Sequence, residues 1–458
     1  MDWTPTISDR TGPLYLRIVD ALASDIGCGR LRRGQALPTH RALAKTLRID
    51  LTTVTRAYAE ARQRGLVEAR VGRGTFVAES AGETRLPPLA RAEIDLSMNL
   101  PPQPAEADLE GRIARGIAAL SREVGLARYL TYRPAGGSED ERAAAAAWMR
   151  TRLPGIGAER LVVSPGTQAA LAALLAKLTK PGDVVLTESL TFPGFRAAAT
   201  LFGVALVGVA MDQLGVIPDA LASACLRHKP RLIYLTPTIH NPTAASMTPA
   251  RRRQVATAIT KANLVLIEDD AYGRLDPESV TLASLIPERT YLAASLSKCV
   301  APGLRVSFVA TPDREAAGVL AGALNATMQM STPLTSALAL RWLRDGSIDT
   351  IIAAIRAEAA FRQKLAARAL TGHPFAANRQ GHHLWLPLPP GWSRADFTDH
   401  VQRRGLAVVP SDAFSVGPET PHAIRVSLGA VPNRAELVRG LDILAASLNS
   451  SAVARQIV

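Results

Sequence analysis

Lysine is scarce in this chain, 7 residues against 46 arginines. One of the seven, Lys298, closes the run Ser295-Leu296-Ser297-Lys298 behind a strand-like stretch at 290–294, with Arg305 a short way on. A lysine set among hydroxyls and followed by a cation suits a Schiff base with a carbonyl group. Asp269 and Tyr272 end another apolar run: a carboxylate there keeps a pyridine nitrogen protonated, so that the ring works as an electron sink. Asn241, in Thr236-Pro237-Thr238-Ile239-His240-Asn241-Pro242-Thr243, has an amide to donate to a phenolate oxygen, or else only builds an Asn-Pro turn. Ser164-Pro165-Gly166-Thr167-Gln168 precedes an apolar stretch whose helical N-terminus would offer free N–H groups and positive dipole to a phosphate. Alone each signal is weak; in this order they read as the parts of one cofactor site. A second set lies near the N-terminus, where Thr52, Thr53, Thr55 and Arg56 open a helix-like segment and suit base edges or phosphates.

These residues need elements to hold them. Pro13 to Gly27 carries Leu14, Ile18, Leu22 and Ile26 at helical spacing. A second short helix is predicted from an N-cap at Thr39 to about Leu47, and a third that starts after Asp50 and runs to Arg64, stopped by Gly65. Two short strands, Leu66 to Arg70 and Thr75 to Ala78, flank the turn Gly72-Arg73-Gly74. The helix pair has helix-turn-helix dimensions, its second member entering the major groove; the same pattern also suits a solvated basic face on a small interaction module. Residues 79–93, with a Pro-Pro pair and no periodicity, read as a linker. Beyond it, strand-like runs at 161–164, 184–187, 232–236, 265–268, 290–294 and 305–310 alternate with Ala-rich helices, which predicts an α/β unit with a mostly parallel sheet covered by helices. From about Ser336 a long helical run precedes strands at 383–386, 406–409 and 424–428, a smaller α+β part.

The chain has 458 residues, enough for about three folded units. Apolar residues make up 47% and charged residues 20%, which argues against wholesale disorder. No apolar run is long enough for a membrane helix, the N-terminus lacks a signal-peptide pattern, and the three cysteines, Cys28, Cys225 and Cys299, form no CxxC pair. The expectation is a cytoplasmic protein with reduced thiols, no membrane and no metal. Of the formal net charge of +13, a net +8 lies between Arg30 and Arg73 alone. The basic unit is the N-terminal one, where nucleic acid would bind.

The strings Leu37-Pro38-Thr39-His40-Arg41-Ala42-Leu43-Ala44, Thr53-Val54-Thr55-Arg56-Ala57-Tyr58 and Gly72-Arg73-Gly74-Thr75-Phe76-Val77 resemble the winged helix of GntR-type bacterial regulators across residues 1–78. The resemblance implies operator contacts by Arg41, Thr52, Thr53, Gly72 and Arg73; Leu51 departs from the polar residue common there. Residues 94–458 resemble the fold-type I pyridoxal 5′-phosphate aminotransferases, with a large part at about 94–335 and a small part at about 336–450. That likeness implies the Schiff base on Lys298, Asp269 at the pyridinium nitrogen and Asn241 with Tyr272 at the ring's O3′. Gly166, Thr167, Ser295 and Arg305 would lie at the phosphate, with Gln168 alongside, and Ser297 would belong to the same cofactor site. It further implies that Phe192, otherwise an ordinary core residue, stacks on the ring, that Tyr132 reaches the phosphate of a partner subunit, and that Arg425 forks onto a substrate carboxylate. His240 stands where Gln is common, a change at the substrate, and Ala244 where Gly is common, a change expected only to stiffen a loop. Cys299 and the histidines, His382 and His383 included, read as structural.

The combination resembles the MocR/GabR class of regulators. It implies a DNA-binding protein that senses a small amino compound or vitamin B6 status through bound pyridoxal phosphate and works as a head-to-tail homodimer on a double-stranded operator. A working amino acid aminotransferase with a DNA-binding module is the alternative, since no catalytic role is visibly vacant. A scaffold that needs no B6 is a third reading.

Overall fold

The computed structural model describes residues 3–5, 14–27, 30–32, 34–63, 66–70, 74–77, 92–417 and 419–450. Gly72, Arg73 and nearly all of the expected linker lie outside the described residues. The chain divides into two compact units, Met1–Ala90 and Arg91–Val458.

In the first unit, α1 (Leu14–Gly27), α2 (His40–Leu47) and α3 (Leu51–Gln63) bury Ile18, Leu22, Leu43, Val54, Ala57 and Tyr58 in one core. Helix α2 starts where the sequence puts it: Thr39 is the N-cap, its hydroxyl accepting from Ala42 N at 3.3 Å. It stops at Arg48, whose left-handed backbone (φ 55°) turns the chain within three residues. Asp50 then receives Thr52 N at 2.7 Å and starts α3. The wing is the antiparallel pair β1 (Val67–Arg70) and β2 (Gly74–Val77), extended by backbone bonds from Gly34 and Leu37 to β2.

The second unit opens on β3 (Ile94–Asp95), followed by helices α4 (Leu109–Glu123) and α5 (Glu139–Met149). Strands β4 (Leu161–Ser164), β5 (Val184–Glu188) and β6 (Ala205–Val209) alternate with α6 (Thr167–Leu178) and α7 (Pro193–Leu201). A small hairpin, β7 (Met211–Asp212) and β8 (Gly215–Val216), leads into α8 (Pro218–His228). Then come β9 (Leu232–Leu235), α9 (Pro249–Lys261), β10 (Val265–Asp269), β11 (Thr290–Ser295), β12 (Ser307–Ala310) and α10 (Arg314–Met328). Seven strands form one sheet in the order β4-β12-β11-β10-β9-β5-β6. It is parallel except at β12, which runs against both its neighbours. Side chains alternate between two helical layers: Ile233, Leu235 and Leu266 pack on α8 and α9, whereas Tyr234 and Ile267 pack on α6, α7 and α10. Burial on both faces explains why these strands read as unbroken apolar runs.

The expected long helix from Ser336 is two helices, α11 (Pro333–Arg344) and α12 (Ser347–Ala369), because Gly346 between them adopts φ 76°. After α12 come β13 (Ala376–Ala377), β14 (His383–Pro387), α13 (Arg394–Arg403), β15 (Leu406–Ala407), β16 (Val409–Pro410), β17 (Ala423–Ser427) and α14 (Arg434–Leu448). The expected strand at 406–409 is therefore split: β16 joins the sheet β13-β14-β17-β16, while β15 pairs in parallel with β3. That pairing delivers residues 96–103, just past β3, to the edge of the large sheet. Arg305 also departs from its expected strand; it precedes β12 in a left-handed conformation with φ 51°.

Candidate functional site

The strands end where the chemistry gathers. Residues beyond β9, β10 and β11, together with the start of α6, line a cavity of about 140 Å³. Thr167, Gln168, Phe192, Asn241, Asp269, Tyr272, Ser295, Ser297, Lys298 and Arg305 all face it. An open α/β sheet binds ligands at this carboxyl edge.

Asp269, the last residue of β10, is 5% exposed. One oxygen accepts the Tyr234 hydroxyl at 2.8 Å and the other Ala271 N at 3.2 Å. Burial nevertheless pushes its carboxyl up to about 6, so a cation placed against it would be strongly favoured. Lys298 Nζ donates to the backbone oxygen of Asn99 at 2.5 Å. Burial first, and then the like charge of Arg425, pull this amine down to about 8, which raises its nucleophilic neutral fraction. Tyr272 is buried, and its oxygen accepts from Asn99 Nδ2 at 2.7 Å. Arg425 on β17 holds Asn241 Oδ1 at 2.8 Å and Ser97 O at 2.5 Å, its guanidinium 5.0 Å over the Phe414 ring. Its Nε has no partner among the described residues.

The other end of the cavity, at the start of α6, is equally specific. Gly166 caps α6 at φ 92°, and a Cβ there would lie 2.7 Å from the Arg305 guanidinium. Glycine thus lets Arg305 close onto the helix N-terminus. Thr167 Oγ1 is buried without a partner among the described residues, and Ser295 Oγ accepts Ser297 N at 3.0 Å. An orphaned hydroxyl, a helix N-terminus and an arginine with no acidic partner among the described residues make a cradle that fits an anion. Gln168 lines the same cavity but spends its amide on Gly194 O at 2.8 Å.

Tyr132 is not brought to the cavity within one chain; it is 80% exposed. His240 turns its Nδ1 to Thr243 Oγ1 at 2.8 Å. Ala244 takes φ 60°, so the loop does more than stiffen: alanine adopts a left-handed conformation that glycine takes without steric cost. Cys299 is a buried packing residue whose thiol donates to Ser295 O at 3.2 Å. His382 and His383, read as structural, stand beside the site: His382 Nε2 lies 2.6 Å from Lys298 O and His383 Nδ1 3.2 Å from Asn99 Nδ2. Sequence reasoning missed Asn99 and Tyr234. Tyr234 had a signal, a phenol inside an apolar strand that must find a partner; Asn99 had none, lying in an irregular stretch.

In the first unit Arg41 is exposed on α2, as are Thr52 and Arg56 on α3, while Thr53 is half-buried. The Thr52 hydroxyl bonds to Asp50, and the Arg56 guanidinium lies 4.3 Å over the Tyr15 ring.

The chain matches the family model for aminotransferase class I and II over residues 92–444 and that for the gntR family of bacterial regulatory proteins over residues 14–77. The HTH-type transcriptional regulator YdeF of Bacillus subtilis is 31% identical over 97% of this chain and 96% of its own length. The vitamin B6 salvage pathway transcriptional repressor PtsJ of Salmonella typhimurium is 29% identical over 90% of this chain and 94% of its own. Among solved structures, the α-aminoadipate aminotransferase LysN of Thermus thermophilus, complexed with N-(5′-phosphopyridoxyl)-L-leucine, gives a TM-score of 0.71 at 25% identity, covering 79% of this chain and 93% of its own. The cavity residues and these relatives agree on pyridoxal 5′-phosphate as the cofactor. The chain belongs to the aminotransferase class I and II family and, through its GntR-type DNA-binding module, to the HTH-type transcriptional regulators of the MocR class.

Proposed function

We propose that the second unit senses a small amino compound, or the supply of vitamin B6 itself, and that its occupancy sets the grip of the winged helix on an operator in double-stranded DNA. When bound, pyridoxal phosphate supplies an aldehyde that captures primary amines and a ring that withdraws electrons. The chain's residues divide the remaining tasks. Lys298 is the attachment point, and Asp269 holds the proton at the ring nitrogen. Asn241 and Tyr272 address O3′, Phe192 covers the ring face, and Gly166, Thr167, Ser295, Ser297 and Arg305 take the phosphate. Arg425 receives the effector's carboxylate. By the same resemblance, two copies join head-to-tail and Tyr132 completes the partner's phosphate site.

One observation carries the sensing. Lys298, the attachment point, and Arg425, the carboxylate receiver, are both tied to the main chain of residues 97–99. That stretch comes just after β3, which follows the expected linker in sequence. An incoming carboxylate that takes Arg425 Nη2 leaves Ser97 O without its donor, so occupancy is felt where the second unit begins. The name of PtsJ favours B6 status among the possible signals.

The test is an absorbance screen of amino acids and amines against the holo-protein, with and without the DNA upstream of its own gene. A saturable spectral change with little turnover, together with a shift in operator affinity, is expected. Lys298→Ala should lose the borohydride-reducible chromophore while keeping part of its operator affinity; a chromophore that survives the substitution refutes the assignment. A second reading, a working aminotransferase, is favoured by the single cavity that holds Lys298, Asp269, Asn241, Tyr272 and Arg305 together. It predicts steady turnover with an amino acid and 2-oxoglutarate.

A further inference from the structure

We propose that Asn99 is a positioning residue of the cofactor site: its carboxamide orients and polarises the Tyr272 phenol so that the phenolic proton is delivered into the cavity. This rests on the pyridoxal phosphate reading above and assigns to that site a residue outside the motifs that identify it.

The orientation follows from hydrogen-bond accounting. His383 Nε2 lies 3.0 Å from the backbone oxygen of His240, a group that can only accept, so the His383 proton sits on Nε2 and Nδ1 is an acceptor. Asn99 Nδ2 lies 3.2 Å from that Nδ1, so the amide must present its NH₂ edge there and cannot be turned over. Its other N–H donates to the Tyr272 oxygen at 2.7 Å. Tyr272 thus already accepts one hydrogen bond, and its single proton has no acceptor among the described residues. Tyr272 itself lines the cavity. A phenol that accepts a short hydrogen bond is a stronger donor, because chained hydrogen bonds polarise one another in a low dielectric.

A purely structural amide would not be placed this way. Asn99 is 6% exposed, and its Oδ1 has no partner among the described residues, a cost that a packing residue of the same size would avoid. Its own backbone oxygen accepts from Lys298 Nζ at 2.5 Å. One residue therefore holds both the free Lys298 amine, through its backbone oxygen, and the Tyr272 phenol, through its carboxamide.

The direction of the effect can be stated. Donation from Tyr272 to O3′ favours the form with more negative charge, that is, the form without a proton on the nitrogen joining Lys298 to the cofactor. Weakening that donation raises the pH midpoint at which the holo-protein's yellow band titrates. The experiment titrates this band in the unmodified chain, Asn99→Ala, Tyr272→Phe and the double variant, with Asn99→Leu as a near-isosteric form should the alanine form fail to fold. Asn99→Ala should raise the midpoint by about half a unit, Tyr272→Phe by more, and the double variant by no more than Tyr272→Phe alone. An unchanged midpoint in both Asn99 variants overturns the proposal, as does a shift that persists undiminished without the Tyr272 hydroxyl. If the unmodified chain forms no yellow band with added pyridoxal phosphate, the cofactor reading itself falls; that outcome differs from a band that titrates alike in all Asn99 forms.

Discussion

Lys298 and Asp269 are two groups that burial moves toward neutrality from opposite sides, and each gives the site a pH dependence of known sign. With its ammonium pulled down to about 8, Lys298 is still mostly protonated at pH 7, and only about a tenth is the neutral nucleophile. Capture of pyridoxal phosphate by the apo-protein should therefore quicken about tenfold per unit as pH rises toward 8 and level off above it; a stopped-flow series at fixed cofactor reads this directly. On the proposed reading Asp269, pushed up to about 6 by burial, would have to give up its proton to accept the ring's cation. Cofactor affinity should weaken as pH falls below about 6 and be flat above it, by equilibrium titration. A capture rate independent of pH between 6 and 8 would contradict the environment described for Lys298.

At the scale of elements, caps and strand ends decide where side chains go. The Thr39 hydroxyl caps α2, which presents Arg41 to solvent. Thr39→Ala should cost the module about 1 kcal/mol, seen as faster amide exchange along Leu43–Leu47 in the full chain. Arg41→Ala should leave that exchange unchanged, weaken operator binding, and lower the slope of log affinity against log salt by about 1. Equal salt slopes for Arg41→Ala and the unmodified chain would place Arg41 away from the phosphates. The two variants separate the helix from the contact it carries. Arg56 differs from Arg41: stacked on Tyr15, it serves the fold of the module at the same time as it faces outward.

At the scale of the whole molecule, the site as the resemblance implies it is incomplete in one chain. Tyr132 is 80% exposed and its neighbour Leu130 86%, an apolar pair left in solvent. If a second copy brings Tyr132 to the phosphate end, chains carrying Tyr132→Ala and chains carrying Lys298→Ala each lose tight cofactor binding alone. Mixed and reassociated, they should regain one tight site in each mixed dimer and none in either homodimer, counted by titration. A mixture that binds no better than its components would show that Tyr132 serves only its own chain or none.

The amino-acid order by itself determined the local chemistry. Alternating apolar runs and Gly, Pro, Asn and Asp punctuation marked the strands of the large sheet except β6, and residues at or just beyond their ends, Asp269, Asn241 and Lys298, could be named because parallel strands must deliver their C-terminal residues to a common edge. The helix pair at the N-terminus was legible for a similar reason, its start and turn being written in short-range capping signals at Thr39 and Asp50. What only tertiary structure decided depends on contacts between residues far apart in the chain. The antiparallel course of β12 leaves no trace in its composition. The pairing of β3 with β15 carries Asn99 across 173 positions to Tyr272 and across 199 to Lys298. Tyr234 meets Asp269 because neighbouring parallel strands bring every second side chain to the same face. Periodicity records which face a residue occupies; which distant partner waits there is set by strand order and register, and those are settled only when the whole sheet packs.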